Sequence, residues 1–357
     1  MVEWKKLKEV AVIKNGKDYK KLSSGNIPVY GTGGIMTYVN QFASDKPSVL
    51  LPRKGSVENI YYVEEPFWTV DTIYWTDIDV SKIIPKYLYI ALQQYNLKEY
   101  AYGGARPSLS QQILYNLEIP IPSLEEQNRI VGILDTFTDS IENLKQQIAQ
   151  RKKQFEFYRD HLLDLEGKEG VELTKLGEIA YYSKDRISAL MLNAKNYVSV
   201  ENLLKDKAGR NDSEKVPESG NWVGYKENDI LIGNIRPYLR KIWLADRNGG
   251  TNGDVLVIRP KKEIAFKFLY FVLSSEIFFD YYNMTAKGGK MPRGDKKRAL
   301  SYPIFLPTLS EQQRIVSILD TFEASISNLE AQLAQRQKQY EYYRNKLLSF
   351  GNGDGES

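Results

Sequence analysis

The 357-residue chain contains no cysteine. That excludes disulfides and thiolate zinc centres, and it fits a reducing compartment, so a cytoplasmic protein is expected. A single histidine, His161, stands where a second copy of the same pattern has Lys346. His-based acid–base catalysis and His-based metal sites are therefore not expected. No apolar run approaches the roughly 18 residues a membrane-spanning helix needs. The opening Met1-Val2-Glu3-Trp4-Lys5-Lys6-Leu7 holds no apolar segment of signal-peptide length, so neither a membrane nor secretion is expected. The Gly-x4-Gly-Lys-Ser/Thr loop of phosphate-binding ATPases is absent, as is the Asp/Asn-Pro-Pro-Tyr/Phe segment of amino-methyltransferases. Carboxylates are plentiful without forming a distinctive spaced set. A metal nuclease built from scattered acids stays open at this stage. An excess of charge is also missing: 49 Lys+Arg against 45 Asp+Glu give +4. Any polyanion must therefore be met by local clusters of cations.

What is present is a repeat. Pro122-Ser-Leu-Glu-Glu-Gln-Asn-Arg-Ile-Val131 returns as Pro307-Thr-Leu-Ser-Glu-Gln-Gln-Arg-Ile-Val316, and the match continues without a gap. Leu134-Asp-Thr-Phe137 returns as Leu319-Asp-Thr-Phe322, and Gln154-Phe-Glu-Phe-Tyr-Arg159 as Gln339-Tyr-Glu-Tyr-Tyr-Arg344. Such self-similarity marks one structural unit used twice.

Each copy carries the alternating four-and-three spacing of a heptad seam. The first seam runs Ile130, Leu134, Phe137, Ile141, Leu144, Ile148, Phe155, Tyr158 and Leu162, interrupted by Arg151. The second runs Ile315, Leu319, Phe322, Ile326, Leu329, Leu333, Tyr340, Tyr343 and Leu347, interrupted by Arg336. Ser123 and Thr308 are N-cap types, each followed by a glutamate in capping-box position, Glu126 and Glu311. The pattern predicts two helices of about 40 residues, roughly 60 Å each. Apolar seams of this length need partners. The nearest is the other copy, and chain direction then makes the pair antiparallel with approximate two-fold symmetry. Pairing between chains is the alternative.

The segments 1–121 and 167–306 predict two small mixed α+β domains, with helices over 122–166 and 307–350 and a flexible tail over 351–357. The two domains open alike, Trp4-Lys-Lys-Leu7-Lys-Glu9-Val-Ala11 and Leu173-Thr-Lys-Leu176-Gly-Glu178-Ile-Ala180, and then diverge. Strand-like runs include Ser48–Leu51, Asn59–Val63, Asp229–Ile232 and Asp254–Ile258. Each domain then has one helix-like stretch, Lys86–Leu92 and Lys267–Leu273. Ahead of each long helix sits a glycine pair in register, Gly103-Gly104 and Gly288-Gly289. Glycine pairs allow close backbone approach, and flanking cations suit phosphates or guanine edges. An ordinary turn with solvated charges gives the same pattern.

On this basis Arg53, Lys54 and Arg106 are the nucleic-acid candidates of the first domain. Arg236, Lys287, Lys290 and Arg293 are those of the second. Asn234–Lys241 adds a tyrosine suited to stacking. Tyr30-Gly-Thr-Gly-Gly34 has the glycines of a phosphate cradle but also those of a tight turn, and it lacks the full dinucleotide spacing.

The run Ile119-Pro-Ile-Pro-Ser-Leu-Glu-Glu-Gln-Asn-Arg-Ile-Val131, its second copy and the Gly-Gly loops before them resemble the specificity subunit of type I restriction-modification systems. The resemblance spans essentially the whole chain. It implies two target recognition domains, each reading one half of a split site on double-stranded DNA. It also implies two conserved helices forming an antiparallel coiled coil that sets the spacer. The implied partners are two methylation subunits, and restriction subunits in the full complex. S-adenosylmethionine, ATP and magnesium would belong to those partners, leaving this chain non-catalytic. A fused methyltransferase or nuclease and a purely structural coiled-coil adaptor are the rival classes.

Overall fold

The structure, a computed structural model, describes residues 2–350, so the tail expected over 351–357 lies outside the described residues. The backbone divides into two compact units, Met1–Gln146 with Glu330–Ser357, and Gln147–Leu329.

Unit 1 contains β1 (Glu3–Lys6), β2 (Ala11–Asn15), β3 (Ser24–Gly31), β4 (Gly34–Val39), β5 (Ser48–Pro52), β6 (Tyr61–Val63), β7 (Trp68–Thr69), β8 (Ile73–Ile78) and β9 (Glu118–Ile121). Its helices are α1 (Pro85–Leu92), α2 (Gln111–Tyr115) and the start of α3 (Leu124–Leu163). β2, β8, β5 and β6 form an antiparallel sheet in that order, β4, β3 and β7 form a second sheet in which β3 and β7 run parallel, and β1 pairs with β9. β5 is buried at every residue because both its faces are covered; its residues after Ser48 are apolar, and the Ser48 hydroxyl donates to the Thr76 carbonyl at 2.8 Å. Tyr87, Leu88, Ile90 and Leu92 of α1 join Val49, Leu51 and Tyr74 in the main core. Asn59 and Ile60, in the strand-like run, precede the strand. The Asn59 side chain is drawn off to donate to the Thr32 carbonyl at 2.8 Å.

Unit 2 contains the end of α3, then β10 (Glu172–Lys175), α4 (Leu176–Ile179), β11 (Ala180–Tyr182), β12 (Arg186–Ser188), β13 (Tyr197–Val198), β14 (Asn221–Tyr225), β15 (Ile230–Gly233), β16 (Ile242–Leu244), β17 (Gly249–Thr251) and β18 (Val255–Pro260). It continues with α5 (Phe266–Leu273), α6 (Glu276–Met284), α7 (Lys296–Leu300), β19 (Pro303–Leu306) and the start of α8 (Leu309–Leu347). The sheet β11-β18-β15-β16 repeats the strand order of β2-β8-β5-β6. The sequence predicts one helix here, at Lys267–Leu273, but α6 follows it at once. Ser275 begins α6 by accepting from the Phe278 amide, and Phe278, Phe279 and Tyr282 are buried from it.

The repeated helix starts do the same work in both units. Ser123 Oγ accepts the Glu126 amide at 3.3 Å, and Thr308 Oγ1 the Glu311 amide at 3.4 Å. The glutamate side chains do not complete a capping box. Glu126 forms a two-pronged pair with Arg129, and Glu311 with Arg314. The buried glutamine of the motif fastens helix to domain. Gln127 Oε1 accepts the Ile84 amide at 2.8 Å, while its Nε2 donates to the carbonyls of Lys82 and Pro122. Gln312 repeats this with the Ala265 amide at 3.0 Å and the Pro307 carbonyl at 2.9 Å. Lys86–Asp135 and Lys267–Asp320 add an ion pair beside each latch.

Each unit also takes in the far end of the other long helix. In unit 1, Ile130 and Leu134 from the start of α3 share a core with Leu347 at the end of α8 and Leu348 just after it. In unit 2, Ile315 and Leu319 from the start of α8 pack with Phe155 and Leu162 from the end of α3. Within each unit the paired segments therefore run antiparallel, and the pairing is made inside one chain. The arginines that break the heptad rhythm belong to the seam. Arg336 lies over the Phe137 ring at 5.6 Å, and Tyr343 stacks on that ring at 5.2 Å. Arg151 and Tyr158 do the same to Phe322, at 5.9 and 5.1 Å. Each such cation–π contact contributes about 0.5–2 kcal/mol. Ile141, Leu144, Ile148, Ile326, Leu329 and Leu333 are buried or half-buried. His161 is exposed, its ring stacked on Phe157.

Candidate nucleic-acid interface

The candidate cations sit where a central strand ends. In unit 1, β5 stops at Pro52, which has no amide hydrogen to continue the ladder. The chain turns, and the Arg53 and Lys54 amides both donate to the Thr72 carbonyl, at 3.0 and 3.1 Å. The glycine-pair segment closes on this turn. Tyr102 and Ser108 exchange both backbone hydrogen bonds, leaving Gly103, Gly104, Ala105 and Arg106 as a tip. Only glycine suits position 103, where φ is +99° and a Cβ would lie 2.9 Å from the Arg106 carbonyl oxygen. The Leu109 amide donates to the Arg53 carbonyl at 2.9 Å, and the Gly55 amide to the Pro107 carbonyl at 3.0 Å. Arg53 and Lys54, and Arg106 far from them in sequence, are thereby gathered on two loops bonded to each other.

Unit 2 repeats the bonds that join the two loops. Lys287 and Arg293 exchange both backbone hydrogen bonds at 2.9 Å, leaving Gly288, Gly289, Lys290 and Met291 as the tip. The Gly294 amide donates to the Asn234 carbonyl at 3.1 Å, and the Arg236 amide to the Pro292 carbonyl at 2.7 Å. All four predicted cations of this unit are again brought onto one loop pair. The bonding aligns Arg53 with Asn234, Lys54 with Ile235, and Gly55 with Arg236. Gly55 has φ +88° and Arg236 has φ +52°, so an arginine occupies a left-handed position where the other unit uses glycine.

The side chains differ in how firmly they are held. The Arg53 guanidinium donates to the Asp71 carbonyl and lies 5.7 Å over the Tyr74 ring, which leaves an exposed edge of fixed orientation. Lys54 and Asp71 are exposed and 3.7 Å apart, a contact weak enough for phosphate to replace. Arg106 and Lys290 are exposed. Lys287 pairs with Asp295 at 3.0 Å and Arg293 with Asp254 at 3.3 Å. Arg236 differs from all of these: its Nε is buried without a hydrogen-bond partner. It lines a cleft of about 860 Å3 with Arg293, Asn202, Asn211 and Asp254.

Two neighbours stiffen this loop pair, and residue types alone did not reveal them. Burial pushes the Tyr282 hydroxyl up, so it stays protonated and donates to Asn234 Oδ1. A Cβ on Gly294 would collide with the Tyr282 ring, so glycine is required there by close approach. Asp295 caps α7, accepting the Lys297 and Arg298 amides at 3.0 and 3.2 Å. The Arg298 amide, followed by the Lys287 ammonium, holds its carboxyl below the usual carboxylate range. The matching cap in unit 1 is Ser110, which does not titrate.

A pH dependence of this cap, present in unit 2 and absent at Ser110, follows. Because the folded Asp295 titrates lower than the unfolded one, its contribution is fully present above the ordinary aspartate range and is lost as pH falls through the lowered value. An NMR titration should place Asp295 below the ordinary aspartate value of 3.8, with local opening of residues 287–298 on protonation. A midpoint at or above that value contradicts the capping account.

Other sequence candidates find different roles. Tyr30–Gly34 is the β3–β4 hairpin turn, with Gly31 opposite Gly34. Its Thr32 side chain donates to the Lys54 carbonyl at 3.0 Å, so it buttresses the basic turn. In Asn234–Lys241, Arg240 is tied to Asp206 and Glu276, and the Lys241 ammonium donates to the Val200 carbonyl.

The chain matches the family described as type I restriction modification DNA specificity domain, over residues 1–152 and again over 168–337. A Haemophilus influenzae protein provisionally named a type I restriction enzyme specificity subunit is 29% identical, over 98% of this chain and 96% of the relative. The EcoR124I/EcoR124II specificity subunit of Escherichia coli is 31% identical, over 77% of this chain and 73% of the relative. In fold, the chain is similar to the crystal structure of a type I restriction-modification S subunit from M. genitalium. The TM-score is 0.61 with 17% identity, covering 99% of this chain and 97% of that one.

Proposed function

Because the chain belongs to the type I restriction-modification DNA specificity family, we propose that it is the non-catalytic DNA-reading subunit of a methyltransferase/endonuclease complex. Its two loop pairs take the two halves of a bipartite site on double-stranded DNA. The observation that carries this reading is the same loop pair built twice, with different side chains on it. Shared backbone bonding supports a common way of approaching DNA, and divergent side chains support two different words. Lys54, Arg106, Lys287 and Lys290, exposed and loosely paired, suit phosphates and supply affinity and register. Arg53, Arg236 and Arg293, held at the guanidinium or the backbone, suit base edges, where orientation matters.

The domains are assigned as recognition domains over 1–121 and 167–306, joined to helices over 122–166 and 307–350. The helices set the number of unread base pairs, and their outer faces dock two methylation subunits, with restriction subunits joining in the full complex. S-adenosylmethionine, ATP and magnesium belong to those partners.

The test is a module exchange. Residues 174–300 are replaced by the corresponding region of a related chain, and the complex selects sites from a randomised duplex pool. One half-site should change while the other half-site and the spacing stay. Change in both halves contradicts independent readers. Binding that is indifferent to both salt and sequence contradicts DNA reading altogether.

A further inference from the structure

The two loop pairs differ most at the turn following the central strand. In unit 1 the turn from β5 to β6 passes through Gly55 and buries Val57. In unit 2 the turn from β15 to β16 winds into a short 3-10 segment, Pro237–Leu239. It is entered through Arg236 and left through Arg240, both in the left-handed region with φ +52° and +49°. Beside it, Asp206 and Lys207 are left-handed as well. Four of the five non-glycine residues with positive φ among the described residues are therefore gathered around this one turn. Strain of this kind persists only where the surroundings over-determine the backbone, and it concentrates where geometry is used.

The surroundings do over-determine it. The Arg240 guanidinium reaches Glu276 at 2.7 Å and Asp206 at 2.5 Å. Lys207 adds a 2.6 Å pair to Glu276 and donates its amide to the Arg240 carbonyl. Pro237 is buried, Leu239 is half-buried, and α6 packs against the segment. The Arg236 amide is bonded to the Gly-Gly loop. From this braced turn a single large side chain projects: the Tyr238 ring is 51% exposed. Met291, at the tip of the neighbouring loop, is 48% exposed.

An aromatic ring on a rigid turn loses little freedom when it meets a flat partner. The cations bonded into the same loop pair, Arg236, Lys287, Lys290 and Arg293, select a polyanion as that partner. The flat apolar surface a polyanionic duplex offers is the face of a base. We propose that Tyr238 is a base-stacking residue: its ring lies against a base at an opened step within the half-site read by unit 2. The inference rests on the DNA-reading function above. Unit 1 has no aromatic residue in its Gly55–Ile60 turn, so a step opened by this turn belongs to the second half-site only. The second half-site then favours a step that unstacks easily, and specificity arises partly from deformability instead of hydrogen bonding.

The experiment uses the full chain, assembled with its methylation partner, on its selected duplex carrying 2-aminopurine at successive positions of either half-site. Binding by the unaltered protein should raise probe fluorescence at one step of the second half-site. Tyr238→Ala should abolish that rise and weaken binding roughly tenfold, the usual scale of one base–aromatic stack. Tyr238→Phe should keep both, and probes in the first half-site should respond to neither variant. Selective, salt-dependent binding with a silent probe at every position overturns the stacking proposal and leaves DNA reading intact. Tyr238→Phe losing as much as Tyr238→Ala overturns it too, by assigning the effect to the hydroxyl. Absence of selective binding overturns the DNA-reading function and the stacking proposal together.

Discussion

Gln127→Glu is expected to destabilise unit 1 by about 3 kcal/mol, although it changes one atom and keeps the side chain's shape. Gln127 is fully buried, and its amide donates to two carbonyls while accepting one backbone amide. An ionised glutamate keeps the acceptor but sets an oxygen against the carbonyls of Lys82 and Pro122. A protonated one can serve only one of them, at the cost of holding a proton in a buried site. Gln312→Glu should act in the same direction in unit 2 with a smaller effect, since that latch makes two bonds. The adjacent glutamates provide the contrast. Glu126 and Arg129 are on the surface, so Glu126→Gln should cost less than about 1 kcal/mol. Denaturant unfolding followed by tryptophan fluorescence distinguishes the two outcomes. If Gln127→Glu costs no more than Glu126→Gln, the latch is not what the motif is for.

Arg236→Gly should raise stability and remove recognition at once. Glycine adopts the left-handed region without the steric penalty arginine bears there, worth about 1–2 kcal/mol. Against this stands the greater freedom of glycine in the unfolded chain, which takes back part of the gain. Loss of the buried, unpartnered Nε favours the variant further. Binding at the second half-site should weaken by about ten- to hundredfold, the range of one good base contact. The first half-site should be read unchanged. Thermal unfolding and competition binding on matched and mismatched duplexes measure the two effects. A variant that is less stable, or that discriminates the second half-site as before, contradicts the assignment of Arg236 as a strained base-reading residue.

Much of the architecture was legible because it rests on repetition and periodicity. The seam from Ile130 to Leu162 and its second copy follow from heptad spacing, and the N-caps from Ser123 and Thr308. The Gly-Gly tips could be placed because they keep register with the helices. Legibility ended where contacts join distant segments. Arg151 and Arg336 read as interruptions of the seam because a charge in an apolar stripe looks like a defect. The rings of Phe322 and Phe137 that accommodate them come from the other helix. The glutamines of the repeated motif gave no hint of their latch, since the groups they bind at Ile84 and Ala265 are featureless backbone. The candidate cations could be named by type and do share one loop pair in each unit, yet Arg240 and Lys241 look no different in sequence from Arg236. Asp206, Glu276 and the Val200 carbonyl, supplied from elsewhere in the unit, occupy them.

The sequence by itself determined that one plan is used twice, where its helices begin, and where its glycine pairs fall. Those properties are encoded locally, in propensity, capping and spacing. Only the tertiary structure decided that Gly55 and Arg236 are the same position, that Arg236 is left unpaired while its neighbours are clamped, and that Tyr238 stands out on a braced turn. Those properties depend on which backbone groups meet across the fold, and residue type does not carry that information.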